Sequence, residues 1–149
     1  MNFAPLAALL STRHSGVLTG IPYAETLGLE FEIDEGGALL RMPYRKTLIG
    51  APSPPRLHGG TVAGLMEIAC MAALLRDETV TSVPALKPID VTVDYLRAGQ
   101  PETTYGCATV MRRGRRVANV RVEAWQSDPG APIAAARMNV MIVGADGSA

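Results

Sequence analysis

Along the chain the apolar residues fall into two periodicities, which separate one long helix from a set of strands. Ile89, Val91, Val93 and Tyr95 alternate with Asp90, Thr92 and Asp94, a period of two that predicts a strand. Ala118, Val120, Val122 and Ala124 alternate in the same way with Asn119, Arg121, Glu123 and Trp125. Between them, residues 103–112 carry Tyr105, Cys107, Thr109 and Met111 on one parity, and Arg113-Gly114-Arg115 supplies a turn. A last strand over 132–143, with Ile133, Met138, Val140, Ile142 and Val143, follows a turn at 127–130. Upstream, residues 29–34 and 38–42 flank Glu35-Gly36-Gly37, a hairpin signal. A short helix over 3–10 precedes them, and residues 44–57, with Pro52, Pro54 and Pro55, form a loop.

Residues 57–75 break the strand pattern. They hold one full charge, Glu67, between Arg56 and Arg76. A membrane span needs ~20 apolar residues, so length alone permits one. Content argues against it: a mid-helix carboxylate costs on the order of 3 kcal/mol on insertion, and His58, Gly59, Gly60, Thr61 and Gly64 dilute the apolarity. An all-round apolar helix in a chain of this size is instead a central helix covered by its neighbours. Successive strands with short connections are antiparallel, because parallel neighbours need a crossover. The expected architecture is therefore α+β, with one long central helix wrapped by a curved antiparallel sheet of five to six strands. Residues 1–149 read as a single domain, with a helical extension over 1–19 and a flexible tail over 144–149.

Composition narrows the function. With 48% hydrophobic and 19% charged residues the chain is not a disordered polymer. The 14 basic and 14 acidic side chains cancel, so no polycation for nucleic acid is present, and no signal segment or membrane helix is expected. A cytoplasmic setting follows, with Cys70 and Cys107 as free thiols, since their spacing fits no zinc or redox motif. No Rossmann or P-loop glycine pattern occurs, and no metal or cofactor is expected.

Three features carry chemistry. Glu67 lies in the middle of the apolar helix with Ala63, Gly64, Cys70 and Met71 as its neighbours at three and four residues. A carboxylate in such surroundings is expensive unless paired or employed, so it is a candidate base or nucleophile, or else the partner of an Arg elsewhere. Gly59 and Gly60 open the helix, where backbone N–H groups lack internal partners and the dipole favours anions, although glycines also serve close packing. Arg112, Arg113, Arg115 and Arg116 crowd one hairpin tip, either as a solvated turn or as a clamp for phosphates.

The stretch His58-Gly59-Gly60-Thr61-Val62-Ala63-Gly64-Leu65-Met66-Glu67 resembles the helix-opening motif of hotdog-fold acyl-CoA thioesterases of the phenylacetate-degradation type. Asp94-Tyr95-Leu96-Arg97-Ala98 is similar to that family's strand ending in Tyr-Leu-Arg-Pro-Ala, and Met111 through Ala118 to its following hairpin. The resemblance covers about residues 20–143, in order and spacing. It implies hydrolysis of a small or medium acyl- or aryl-CoA, with coenzyme A present only as part of the substrate. It implies Glu67 as base or nucleophile, the Gly59 N–H as the oxyanion donor, and His58 and Gly60 in the same motif, His58 orienting more than reacting. Arg113, Arg115 and Arg116 then face the coenzyme A phosphates. A homodimer or a homotetramer, as a dimer of dimers with sites between subunits, is implied as well. The chain departs from relatives of this type at Pro52, Met71 and Pro88, where they carry an amide, a Thr and a Ser; Ser53 is the nearest hydroxyl to the first. These losses keep open a second expectation, a hotdog protein that binds acyl-CoA without turnover. A hotdog dehydratase ranks last, since its His-based local motifs are absent.

Overall fold

The computed structural model of the 149-residue chain describes residues 3–76 and 85–144. Its central element is the helix α3 (Gly59–Leu75), preceded by α1 (Ala4–Thr12) and α2 (Pro22–Leu27). The strands are β1 (Ser15–Val17), β2 (Glu30–Asp34), β3 (Gly37–Met42), β4 (Ile49–Pro52), β5 (Pro55–Leu57), β6 (Ala85–Tyr95), β7 (Thr104–Arg113), β8 (Val117–Trp125) and β9 (Ala134–Val143). Seven of them form one antiparallel sheet in the order β1-β2-β3-β7-β8-β9-β6. This is the hotdog arrangement, with seven strands where five or six are expected. The additional strand is β1, whose Ser-Gly-Val has no alternation to betray it and which exists by pairing with β2. The tail expected over 144–149 lies, except for Gly144, outside the described residues.

Local chemistry explains the boundaries. The turn between β2 and β3 is held by Asp34, whose Oδ1 accepts the Gly36 N–H at 2.7 Å and the Gly37 N–H at 3.0 Å. The helix α2, which periodicity does not predict, is bracketed by Pro22 at its first turn and by Gly28 in the left-handed conformation at its end. The proline-bearing loop folds into the small β4–β5 hairpin after a 3-10 turn at Lys46–Leu48.

The core lies between α3 and the concave face of the sheet. Leu65, Met66, Ile68, Ala69, Met71, Leu74 and Leu75 are all buried on α3. From β8 come Ala118, Val120, Val122 and Ala124, the parity the alternation picks out. On β7 the bulkier parity, Tyr105 with Cys107, Thr109 and Met111, turns outward, and Tyr105 stacks on Trp125 at 6.2 Å. The inner parity must be small where α3 passes: a Cβ on Gly106 would stand 3.1 Å from Leu65 Cγ. Strand β6 forms one end of the sheet, bonded to β9 alone; on its apolar parity Val93 is half-buried against the core, while Ile89 is 52%, Val91 41% and Tyr95 57% exposed. Among the described residues no helix is long and apolar enough to cross a membrane.

Candidate active site

The start of α3 is an assembly of backbone and side-chain hydrogen bonds around two glycines. His58 is the N-cap, with φ −67° and ψ 129°, and its Nδ1 accepts the Gly60 N–H at 2.9 Å. That bond requires Nδ1 to be unprotonated, so the ring proton resides on Nε2. The His58 carbonyl accepts the Thr61 N–H at 3.0 Å and the Thr61 hydroxyl at 2.7 Å, and the His58 N–H donates to Leu48 O at 2.8 Å. Tyr95, the last residue of β6, donates its hydroxyl to Gly59 O at 2.9 Å, and Tyr23 of α2 donates to Gly60 O at 3.4 Å. Among the described residues nothing accepts the Gly59 N–H. It is the one amide of this turn left for a ligand, at the positive end of the helix dipole.

Gly59 and Gly60 open on a cleft of about 650 Å3. Leu57, Val62, Leu96 and Ile133 give it apolar walls, and Arg56 and Arg97 stand beside them. Each guanidinium is anchored by one bond to a carbonyl, Arg56 to Pro55 O at 2.7 Å and Arg97 to Pro132 O at 2.6 Å. The wall at 96–104 is tied to the end of β8 by the buried Gln126. Its Nε2 donates to Gln100 O at 2.9 Å and to Thr104 Oγ1 at 3.1 Å, while its Oε1 accepts the Gln100 N–H at 2.9 Å.

Both glycines also satisfy packing. A Cβ on Gly59 would lie 3.0 Å from the Tyr95 ring, and one on Gly60 2.9 Å from His58 Nδ1. The phenol and the imidazole reach the backbone only because no side chain intervenes.

Glu67 is separate from this cleft within one chain. It stands eight residues beyond Gly59, ~12 Å along the helix axis at 1.5 Å per residue, and does not line the cleft. It is half-buried rather than enclosed, on a stripe shared with Gly60 and Ala63 that the other elements leave uncovered. Among the described residues no Arg, Lys or hydrogen-bond donor engages its carboxylate, so the intrachain ion pair weighed from sequence does not form. Its charge acts on Cys70, one turn on: burial pushes that thiol up to about 12, with the Glu67 charge adding to the rise. Burial also raises the Cys107 thiol.

The arginine cluster lies at the other end of α3. Arg113 Nη1 donates to Leu74 O at 2.7 Å, placing a cation on the helix C-terminus. Arg112, Arg115 and Arg116 are exposed around it. The length of α3 separates this tip from Gly59 by ~25 Å in one chain. Of the departures from the family pattern, Pro52 and Ser53 are exposed in the β4–β5 hairpin, Met71 is fully buried, and Pro88 is exposed on β6. The groups that sequence reasoning missed are Tyr23, Tyr95, Arg56 and Arg97 as members of this site. Pro22 and Gly28 signal the helix that brings Tyr23; nothing local signals that Tyr95 reaches Gly59.

Residues 50–141 match the model of the family described as acyl-CoA thioesterase N-terminal domain. The medium/long-chain acyl-CoA thioesterase YigI of Salmonella typhimurium is 28% identical over 141 residues, covering 83% of this chain and 91% of its own length. A crystal structure from Chromobacterium violaceum is 33% identical, covers 83% of this chain and 85% of that one, and superposes with a TM-score of 0.67. One from Shewanella oneidensis, related to the thioesterase superfamily, is 28% identical over 83% of this chain and 88% of that one, with a TM-score of 0.69.

Proposed function

The chain belongs to the acyl-CoA thioesterase family and is a thioester hydrolase, and we propose that it cleaves medium-chain acyl-CoA at a site made from Gly59 of one subunit and Glu67 of another. The observation that carries this reading is the unpartnered Gly59 N–H opening on an apolar cleft. When a nucleophile adds to a thioester carbonyl, the oxygen becomes an anion, and an N–H at a helix N-terminus stabilises that charge more than it stabilises the ground-state carbonyl. Removing one such donor typically costs about 100- to 1,000-fold in rate.

The second group has to come from a second copy. Strand β6 offers an open edge of eleven residues with exposed Ile89, Val91 and Tyr95, a surface that unpaired strands seldom leave to solvent. An antiparallel copy joined along β6 covers these side chains by two-fold symmetry. With the two α3 helices antiparallel and offset by about two turns, Glu67 of one protomer meets Gly59 of the other. The Arg115–Arg116 tip then projects ~12 Å beyond that glycine, where an extended coenzyme A carries its phosphates. Arg113, held on Leu74 O, anchors the tip.

In the resulting cycle Glu67 takes a proton from water, the hydroxide adds to the carbonyl carbon, and the Gly59 N–H holds the oxyanion. Collapse breaks the C–S bond, and the leaving thiolate takes the proton from Glu67, giving the free acid and coenzyme A. Direct attack by the Glu67 carboxylate, followed by hydrolysis of the anhydride, reaches the same products. The medium chain length is supported by the apolar walls of the cleft and by the name of the YigI relative. The test is thiol release from short, medium, long and aryl acyl-CoA by the native protein and by Glu67→Gln. Medium chains should be fastest, and the substitution should lower the rate roughly 100- to 10,000-fold. A Glu67→Gln protein of undiminished rate overturns the role of the carboxylate.

A further inference from the structure

The first turn of α3 contains three successive peptide groups, and their hydrogen bonds are unequal. In the His58–Gly59 group the carbonyl is engaged by Thr61 and the N–H is left open. In the Gly59–Gly60 group side chains reach both ends, beside the helix's own bonds: Tyr95 Oη donates to the carbonyl at 2.9 Å, and the N–H donates to His58 Nδ1 at 2.9 Å. In the Gly60–Thr61 group the N–H donates to His58 O at 3.0 Å, and Tyr23 adds a longer bond, 3.4 Å, to the carbonyl. Glycine restrains the backbone less than any other residue, so side-chain bonds to this turn add to what the helix ladder of α3 holds.

We propose that Tyr95 is a positioning residue for thioester cleavage: its hydroxyl, together with the His58 imidazole, clamps the Gly59–Gly60 peptide and so keeps the preceding Gly59 N–H aimed into the cleft. This rests on the reading of Gly59 as the oxyanion donor. Tyr95 is well placed for the task because its own backbone is fixed. It pairs with Ala134 at the end of the β6–β9 ladder, and the next two amides, of Leu96 and Arg97, both donate to Ile133 O, at 2.8 and 3.0 Å. The phenol has one proton and gives it to Gly59 O, so Tyr95 acts through the glycine rather than on the substrate oxygen. The same ring, 3.0 Å from the position of a Gly59 Cβ, accounts for glycine at that place. Strand β6 thereby serves both the subunit edge and the reactive amide.

The experiment measures kcat and KM for Tyr95→Phe, alone and combined with Gly59→Pro. Phenylalanine keeps the ring against Gly59 and removes only the hydroxyl. Proline removes the N–H at the first helical position, where its fixed φ is compatible with the helix. Tyr95→Phe should lower kcat roughly 10- to 100-fold, the scale of a misaimed catalytic group, with KM unchanged because the lost interaction belongs to the transition state. In the Gly59→Pro background the same change should have no further effect on kcat. An unchanged kcat in Tyr95→Phe, beside a disabled Gly59→Pro, overturns the positioning role alone. So do losses that multiply in the double variant, which would make Tyr95 act independently of the amide. A Gly59→Pro protein with native kcat overturns the oxyanion reading and this proposal with it. Should Gly59→Pro fail to fold, the kcat-against-KM split of Tyr95→Phe decides.

Discussion

Three glycines on α3 have separate duties, and the distances assign them. Gly59 presents an open N–H and accommodates the Tyr95 ring, Gly60 accommodates the His58 imidazole that caps it, and Gly64 lies against Tyr23 of α2, where a Cβ would be 2.5 Å from Cε1. His58 is then a capping residue first. Replacing it by Ala should cost about 1 kcal/mol in chemical denaturation, and Asn, a good N-cap, should restore most of that. Cys70 gives a pH prediction whose sign follows from burial. The unfolded thiol titrates near 9.0 and the folded one is pushed up to about 12, so between these values the unfolded chain holds fewer protons and stability falls as pH rises. Comparing denaturation midpoints of the native protein and Cys70→Ala from pH 9 to 12 should show a shallower fall in the variant. A parallel fall would contradict the buried-thiol account.

At the scale of elements, α3 and β7 to β9 were legible because each repeats one periodicity over many residues. The β2–β3 hairpin was legible because Asp34 and two glycines sit at the turn. What escaped was set by tertiary contact. β1 is three residues long and exists by pairing with β2, and α2 spans six residues of no clear amphipathic period. The direction of the β7 parities was hidden as well, because aromatic Tyr105 looks more like core than Gly106 does. Of the candidate site, Gly59 and Glu67 stand out in an apolar run, while the bond from Tyr95 to Gly59 spans 36 residues of sequence. The tight passage of α3 over β7 carries a stability prediction. Leu65 is fully buried against Gly106, so Leu65→Ala should lose about 2–5 kcal/mol in urea unfolding. A loss below 1 kcal/mol would mean that the helix is not seated on the sheet as described.

For the whole molecule, the proposed second copy answers both the open β6 edge and the distance between Glu67 and Gly59. Within one chain Gly59 and Glu67 lie ~12 Å apart along α3. Val91→Arg puts a charge in the middle of the exposed β6 face. It should shift the mass in light scattering to that of a monomer, leave the circular dichroism unchanged, and abolish thiol release. A fully active monomer would contradict the shared site. Zero net charge also acquires meaning at this scale. Residues 1–96 carry 7 basic and 10 acidic side chains and residues 97–149 carry 7 and 4, so the cancelling total conceals an uneven distribution along the chain.

The central claim, that the Gly59 N–H holds the oxyanion, is tested most directly by comparing Gly59→Pro with Gly59→Ala in thiol release from a medium-chain acyl-CoA. Both add a Cβ against the Tyr95 ring, and only proline lacks the N–H; His58, at φ −67° and ψ 129°, already has the backbone that a following proline requires. Proline should fall below alanine by about 100- to 1,000-fold in kcat. Equal rates for the two variants would contradict the claim.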